Sequence, residues 1–260
     1  MRFRALVLAG TRPGGDPFAQ GRGLPYKALV PAGGVPLLRR VIDSLRGSQQ
    51  IEDIVISGMA ESGFRLSPPL AALLEDGDVR VVTGANTPAS SVLAALDDGL
   101  GSPVLVTTGD HALLSPAMVE HFCRGARDSD GADVVVGVVD ADLVRARYPQ
   151  VQRTFTPFRD GTYKGTNLFA LMTPASRRAP ELWVQVEQYR KQPWRMISFL
   201  GPMALLQFLL RRLTLRQAVD RVAAKMGLSI ALVQLPFPEA ALDVDSEAHL
   251  RVAEEILRGM

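Results

Sequence analysis

The chain has 260 residues, with 29 Lys+Arg against 27 Asp+Glu, a formal charge of +2 that excludes whole-surface attraction to nucleic acid. Its 47 % apolar and 22 % charged residues are the mixture of a packed globular protein. One cysteine, Cys123, excludes an intrachain disulfide and a cysteine-based zinc site, and the three histidines have no ligand spacing.

In chain order, short apolar runs alternate with helical spacing. Strands are expected at Phe3–Leu8, Ile54–Ser57, Val79–Val82, Val104–Thr107, Ala132–Val139 and Ile230–Leu235. Helices are expected over Val35–Arg46, Leu70–Glu75, Ser90–Leu100 and Pro116–Arg127. The strand runs are continuously apolar, as strands buried on both faces require. This alternation predicts an α/β fold with a doubly wound, mostly parallel sheet. After Asp140 the pattern changes. Residues 150–170 read as irregular or antiparallel strands, and 175–227 as helical, with Thr214 as an N-cap before Leu215–Met226. A last helix is expected over Ser246–Leu257. No linker or repeat divides the chain, so one domain over 1–260 is expected, in three stretches: 1–140, 141–227 where the pattern changes, and a return to the core over 228–260.

The N-terminal apolar run is too short for a signal peptide. The longest apolar stretch, Met196 to Leu210, is too short to span a bilayer and contains Gly201-Pro202. A soluble, cytoplasmic protein is expected, in keeping with low cysteine usage.

Four motifs carry chemistry. The first is the loop after strand one, Leu8-Ala9-Gly10-Thr11-Arg12-Pro13-Gly14-Gly15, followed by Lys27. At the carboxyl edge of an open α/β sheet such a loop lets backbone N–H groups approach phosphate, with Arg12, Arg22 and Lys27 adding charge. The same residues also suit a plain surface loop. The second is Thr107-Thr108-Gly109-Asp110, which puts a carboxylate over the same crevice, as magnesium ligand or turn cap. The third is Asp243-Val244-Asp245 before the last helix, as further metal ligands or a capping cluster. The fourth is Gly84-Ala85-Asn86-Thr87-Pro88-Ala89-Ser90-Ser91, whose small residues leave room for a flat base, with Ser90 or Ser91 alternatively the N-cap.

In this order the four motifs resemble the MobA-like NTP transferases. Leu8-Ala9-Gly10-Thr11-Arg12, then Lys27, then Gly34-Val35-Pro36-Leu37 match the family's opening pattern. Gly109-Asp110-His111-Ala112-Leu113-Leu114 matches its metal strand, and Asp243-Val244-Asp245-Ser246-Glu247 its late acidic signature. The chain departs from the family in a loop one residue short after Ala9, in Tyr26 between Pro25 and Lys27, and in Ala112 where the family has Pro. The resemblance implies a Rossmann-like nucleotidyltransferase fold that transfers a nucleotide to a small phosphorylated acceptor, releasing pyrophosphate. It implies Arg12, Lys27 and Asp110 as catalytic residues. Leu8, Ala9, Gly10, Thr11, Gly84, Ala85, Asn86 and Ser91 join them around the nucleotide. Magnesium would sit on Asp110 with Asp243 or Asp245. Gly84 and Ser91-Val92 fit the cytidylyl branch, so CTP is the expected nucleotide, ahead of ATP, GTP or UTP. Lys164, Thr166 and Asn167 are the acceptor candidates, because that stretch contacts the acceptor in similar transferases.

Residues 194–212, apolar and flanked by Arg, read as a buried helix pair, a homodimer face or a peripheral membrane contact. Two rival functions stay open: a glycosyltransferase using Asp140-Ala141-Asp142, and a catalytically silent nucleotide-binding protein.

Overall fold

The computed structural model describes residues 1–11, 14–77, 79–151, 153–186 and 201–259. Ten strands are found among them: β1 (Phe3–Leu8), β2 (Pro31–Ala32), β3 (Val35–Pro36), β4 (Ile51–Ser57), β5 (Arg80–Val82), β6 (Val104–Thr108), β7 (Val134–Asp140), β8 (Thr156–Phe158), β9 (Gly161–Leu171) and β10 (Ile230–Gln234). The α-helices among them are α1 (Pro17–Gln20), α2 (Leu37–Arg46), α3 (Glu61–Phe64), α4 (Pro68–Glu75), α5 (Pro88–Asp97), α6 (Pro116–Arg127), α7 (Ala141–Arg147), α8 (Arg178–Val186), α9 (Pro202–Leu209), α10 (Leu215–Met226) and α11 (Glu247–Gly259).

The main sheet runs β10-β7-β9-β6-β1-β4-β5, with β8 paired to β9. The β1–β4, β1–β6, β4–β5 and β7–β10 pairs are parallel, whereas β9 pairs antiparallel with β6, β7 and β8. Helices cover both faces. Phe3, Ala5 and Val7 join the layer with Leu38, Leu70 and Phe122, while Leu6 faces Val92 and Ala223. Both faces of β1 are thus dry, which is why its sequence is apolar without alternation.

Several element ends differ from expectation by a few residues, and two of the shifts have a clear local cause. Val35 and Pro36 are a strand, not the start of a helix, because Gly33 (φ +57) and Gly34 (φ +80) close a two-residue hairpin with Pro31–Ala32. Helix α5 begins at Pro88 because Thr87 is its N-cap, in a capping box with Ser90. The Thr214 cap before Leu215–Met226 is present as expected. A third apolar cluster packs Leu242, Val244 and Leu250 from the end of the chain against Ala19, Val30 and Leu37 near its start. That packing carries the late acidic loop to the mouth of the opening loop.

Candidate active site

Over the carboxyl ends of β1, β4, β5 and β6 lies a cleft of about 470 Å³, lined by the opening loop, Lys27, Asp110 and the turn before α5. Beneath its floor backbone packs on backbone: Gly58, after β4, lies between Gly10, after β1, and Gly84, after β5. Of the three, Gly10 lines the cleft; Gly84, expected at the nucleotide, does not. A Cβ on Gly58 would lie 2.6 Å from the Gly10 Cα, and one on Gly84 would lie 2.8 Å from the Gly58 nitrogen. Gly58 also has φ +95, which L side chains avoid. Sequence reasoning missed Gly58; its signal was the Ser57-Gly58 pair closing an apolar strand.

The charged centre is built from three distant segments. Lys27 begins a short 3₁₀ turn, and its ammonium forms ion pairs with Asp110 and with Asp245, the latter at 2.5 Å. Burial works against the charged amine, but the two carboxylates outweigh it and hold Lys27 above the usual lysine range. The Thr108 hydroxyl donates to Asp110 Oδ1 at 2.5 Å, and Val244 N donates to the Asp110 carbonyl at 3.1 Å. His111, next to Asp110, is fully buried, and burial pushes it down to about 4, so it is neutral near pH 7.

Asp243 has a different setting from the one expected. Its Oδ1 receives Arg153 Nη1 at 3.0 Å and Lys164 Nζ at 3.2 Å, and Arg153 also donates to its carbonyl oxygen. Burial would raise its pKa, but Lys164 and Arg153 hold it down at about 2. Two cations already answer this carboxylate, so its fit as a metal ligand is poor. Asp110 and Asp245 fit better: both reach one ammonium, as two ligands of one hard cation must converge. Among the described residues no group of three or more His, Cys, Asp or Glu is arranged around a metal position. Two carboxylates completed by substrate oxygens and water suffice for magnesium.

On the base side, Ala85, Asn86, Thr87 and Pro88 line the cleft. Ser91 lines it too, but its hydroxyl accepts from Ala85 N at 2.9 Å and donates to Ala85 O at 3.3 Å. It therefore holds the turn in shape, where a direct contact to the base was expected.

The far wall rests on a bulge. Val136 pairs with Phe169 and Val138 with Gly165, so Thr166, Asn167 and Leu168 all face Gly137. Asn167 takes a left-handed conformation (φ +54) and reaches the cleft. Thr166, expected beside it as an acceptor contact, is buried, and a Cβ on Gly137 would fall on its hydroxyl. Lys164 is not a cleft-lining side chain; it ties Asp243 to the Ala241 carbonyl, at 2.8 Å from the latter. Asp140 caps α7 by accepting from Asp142 N, and Asp142 pairs with Arg145, so this Asp-x-Asp pair is a helix start. Arg22 is paired with Glu247. Arg12 lies outside the described residues, as do 194–200. The cleft gathers Leu8, Ala9, Gly10, Thr11, Lys27 and Asp110 with Ala85, Asn86, Ser91, Asn167, Asp243 and Asp245.

A family model for the MobA-like NTP transferase domain matches residues 5–149. A 2-C-methyl-D-erythritol 4-phosphate cytidylyltransferase from Frankia casuarinae is 35 % identical over 188 residues, covering 68 % of this chain and 61 % of that protein. The chain spans between 34 % and 61 % of the length of the curated relatives it matches. Among solved structures, a hypothetical transferase from Thermus thermophilus aligns with TM-score 0.80 at 29 % identity, over 96 % of this chain and 100 % of that one. A 4-diphosphocytidyl-2C-methyl-D-erythritol synthase from Anaerococcus prevotii shares the fold, with TM-score 0.58 at 14 % identity over 99 % of each chain.

Proposed function

The chain belongs to the MobA-like NTP transferase family, and from that premise we propose that it is a magnesium-dependent cytidylyltransferase, joining CMP from CTP to a small phosphorylated acceptor and releasing pyrophosphate. The observation that carries this reading is Lys27, held between Asp110 and Asp245 at one side of a cleft whose other side is a small-residue turn. The relative from Frankia casuarinae, named a cytidylyltransferase, supports the choice of CTP.

An acceptor phosphate oxygen attacks the α-phosphorus in line, and pyrophosphate leaves. The acceptor is already anionic, so no strong base is needed; His111, pushed down to about 4 by burial, would be only a weak one. The barrier is the meeting of two anions, which makes positioning and positive charge the working tools. Backbone N–H groups of Ala9–Thr11 approach the phosphates; the family resemblance gives Arg12 the role of adding charge to them. The Lys27 ammonium turns from its carboxylates to the phosphates, countering the charge that grows on the leaving pyrophosphate. Bound on Asp110 and Asp245, magnesium would supply further charge neutralisation to the phosphate oxygens. Ala85 and Asn86 present backbone groups to the base edge, with Ser91 bracing them. Asn167 faces the acceptor side. The compartment on this reading is the cytoplasm, where the single free thiol of Cys123 stays reduced.

Pyrophosphate release, measured with each of the four NTPs and a panel of phosphorylated acceptors, tests the reading. Cytosine and uracil invert donor and acceptor at positions 3 and 4, and a buried mismatch leaves polar groups unpaired. CTP is expected to exceed UTP by at least about tenfold in kcat/KM, or roughly 1.4 kcal/mol. Equal use of the two, or preference for GTP, removes the cytidylyl assignment. Release of nucleoside diphosphate instead would identify a sugar transferase.

A further inference from the structure

Among the described residues, helix α9 is held by one face. Ala204 is buried, Phe208 meets Phe158 of β8 edge-on with 6.2 Å between ring centroids, and Gln207 accepts from Arg221 at 2.7 Å. On the other side Met203, Leu206, Leu209 and Leu210 are exposed to 60 %, 50 %, 66 % and 55 %. Their spacing places four large apolar side chains on one stripe. Exposed Leu or Met is ordinary singly, but a continuous stripe marks a surface that meets something apolar.

Charge decides what that is. Arg211 and Arg212 follow the stripe directly, both exposed, and among the described residues neither side chain forms an ion pair. Between Gln188 and Val219 the sequence holds six Lys or Arg (Arg190, Lys191, Arg195, Arg211, Arg212 and Arg216) and no Asp or Glu. The whole chain carries only +2, so this stretch of sequence is basic and the rest of the sequence is net negative. A second copy docked by the same stripe would bury it but bring no Asp or Glu of this stretch to Arg211 and Arg212. A bilayer with anionic headgroups satisfies both components: the aliphatic stripe enters the headgroup boundary while the guanidinium groups meet lipid phosphate.

We propose that α9 with Arg211 and Arg212 is an interfacial anchor that docks the protein on anionic phospholipid bilayers. The anchor packs on β8, which pairs with the same β9 that carries Asn167 into the cleft. Docking and the far wall of the cleft therefore belong to one structural unit. The proposal does not depend on which nucleotide the cleft takes.

Co-sedimentation of the full chain with vesicles tests it without any turnover. The vesicles are phosphatidylcholine alone, or phosphatidylcholine mixed with phosphatidylglycerol, at low and high salt. The protein is expected to pellet with the mixed vesicles, weakly with phosphatidylcholine alone, and less at high salt. The pair Leu206→Asp with Leu209→Asp is expected to abolish pelleting. The pair Arg211→Glu with Arg212→Glu is expected to weaken binding to mixed vesicles by more than about tenfold, since each basic residue near such a surface counts. All four positions are exposed, circular dichroism checks folding, and the arginine pair decides alone should the leucine pair misfold. Three results overturn the proposal: no pelleting above the vesicle-free control, either well-folded pair binding as wild type does, or a homodimer dissociated by the leucine pair with no vesicle binding.

Discussion

Lys27 is the residue on which the site's electrostatics turn, because it answers two carboxylates from distant parts of the chain, one in its middle and one near its C-terminal end. An ammonium used mainly on charge that develops during transfer affects kcat more than ground-state binding. Lys27→Ala is expected to lower kcat by about a hundredfold or more, the scale of losing one charged stabiliser. Steady-state kinetics read this directly; a rise confined to KM would assign Lys27 to substrate binding alone. Asp243 allows a test that needs no substrate. Its folded pKa of about 2 lies below the ordinary carboxylate value of about 3.9. A depressed acid contributes its full stability above the unfolded pKa and loses it as pH falls through the folded one. The sum is about 2 kcal/mol, present at neutral pH and lost between roughly pH 4 and pH 2. Denaturation curves against pH should show Asp243→Asn less stable at neutral pH, with the gap closing across that window. A constant gap would mean that the Arg153 and Lys164 pairs contribute nothing to folding. At this scale the sequence was legible for types and positions of charge but not for pairing. Ser91, Asp243 and Lys164 sit where motif spacing puts them, yet their partners come from 6 to 90 residues away, distances over which spacing carries no direction.

Among the elements, the strand ends make the site possible. Gly58→Ala would press a methyl group onto the Gly10 backbone at 2.6 Å and force a side chain into φ +95. Backbone has no rotamer to yield. A loss of about 1–3 kcal/mol of stability is expected, together with weakened nucleotide binding. Thermal melts and calorimetric CTP titration would measure both, and full affinity in the variant would show that the opening loop moves freely from Gly58. Strands and helices were legible from apolar runs and caps: β1 and α6 fall at Phe3–Leu8 and Pro116–Arg127 as read, and Thr214 caps α10. The bulge in β9 was not. Side-chain direction along a strand follows from alternation, and a bulge resets it. Asn167, at φ +54 within the bulge, reaches the cleft, and adjacent Thr166 is buried against Gly137. The hairpin Pro31–Pro36 hid for a related reason, since two-residue strands are too short for any period to show.

For the molecule as a whole, the divergent middle of the chain supplies β9, and β9 lies between β6 and β7. Removing it would cut the sheet in two, leaving β6 paired with β1 and β7 with β10 but nothing joining the halves, so we propose that the chain unfolds as one unit. Urea unfolding followed by far-ultraviolet circular dichroism and by the fluorescence of its two tryptophans should give coincident single transitions. Two separated midpoints would divide the chain into independently folding parts. Overall class was readable because parallel strands dry on both faces leave an unmistakable composition. The insertion of an antiparallel strand at the centre was not, because hydropathy carries no information on strand order.

The layer directly beneath the cleft floor, where Gly58 packs between Gly10 and Gly84, has no side chains to exchange. Evolutionary change in what this cleft accepts is therefore confined to its walls: Asn86 to Pro88 on one side, Asn167 and its bulge on the other. Such a cleft can be retargeted through few positions while its base stays the same, so a new substrate and an old fold are compatible by construction. The same geometry makes that layer intolerant, since any first mutational step there adds atoms where backbone already stands.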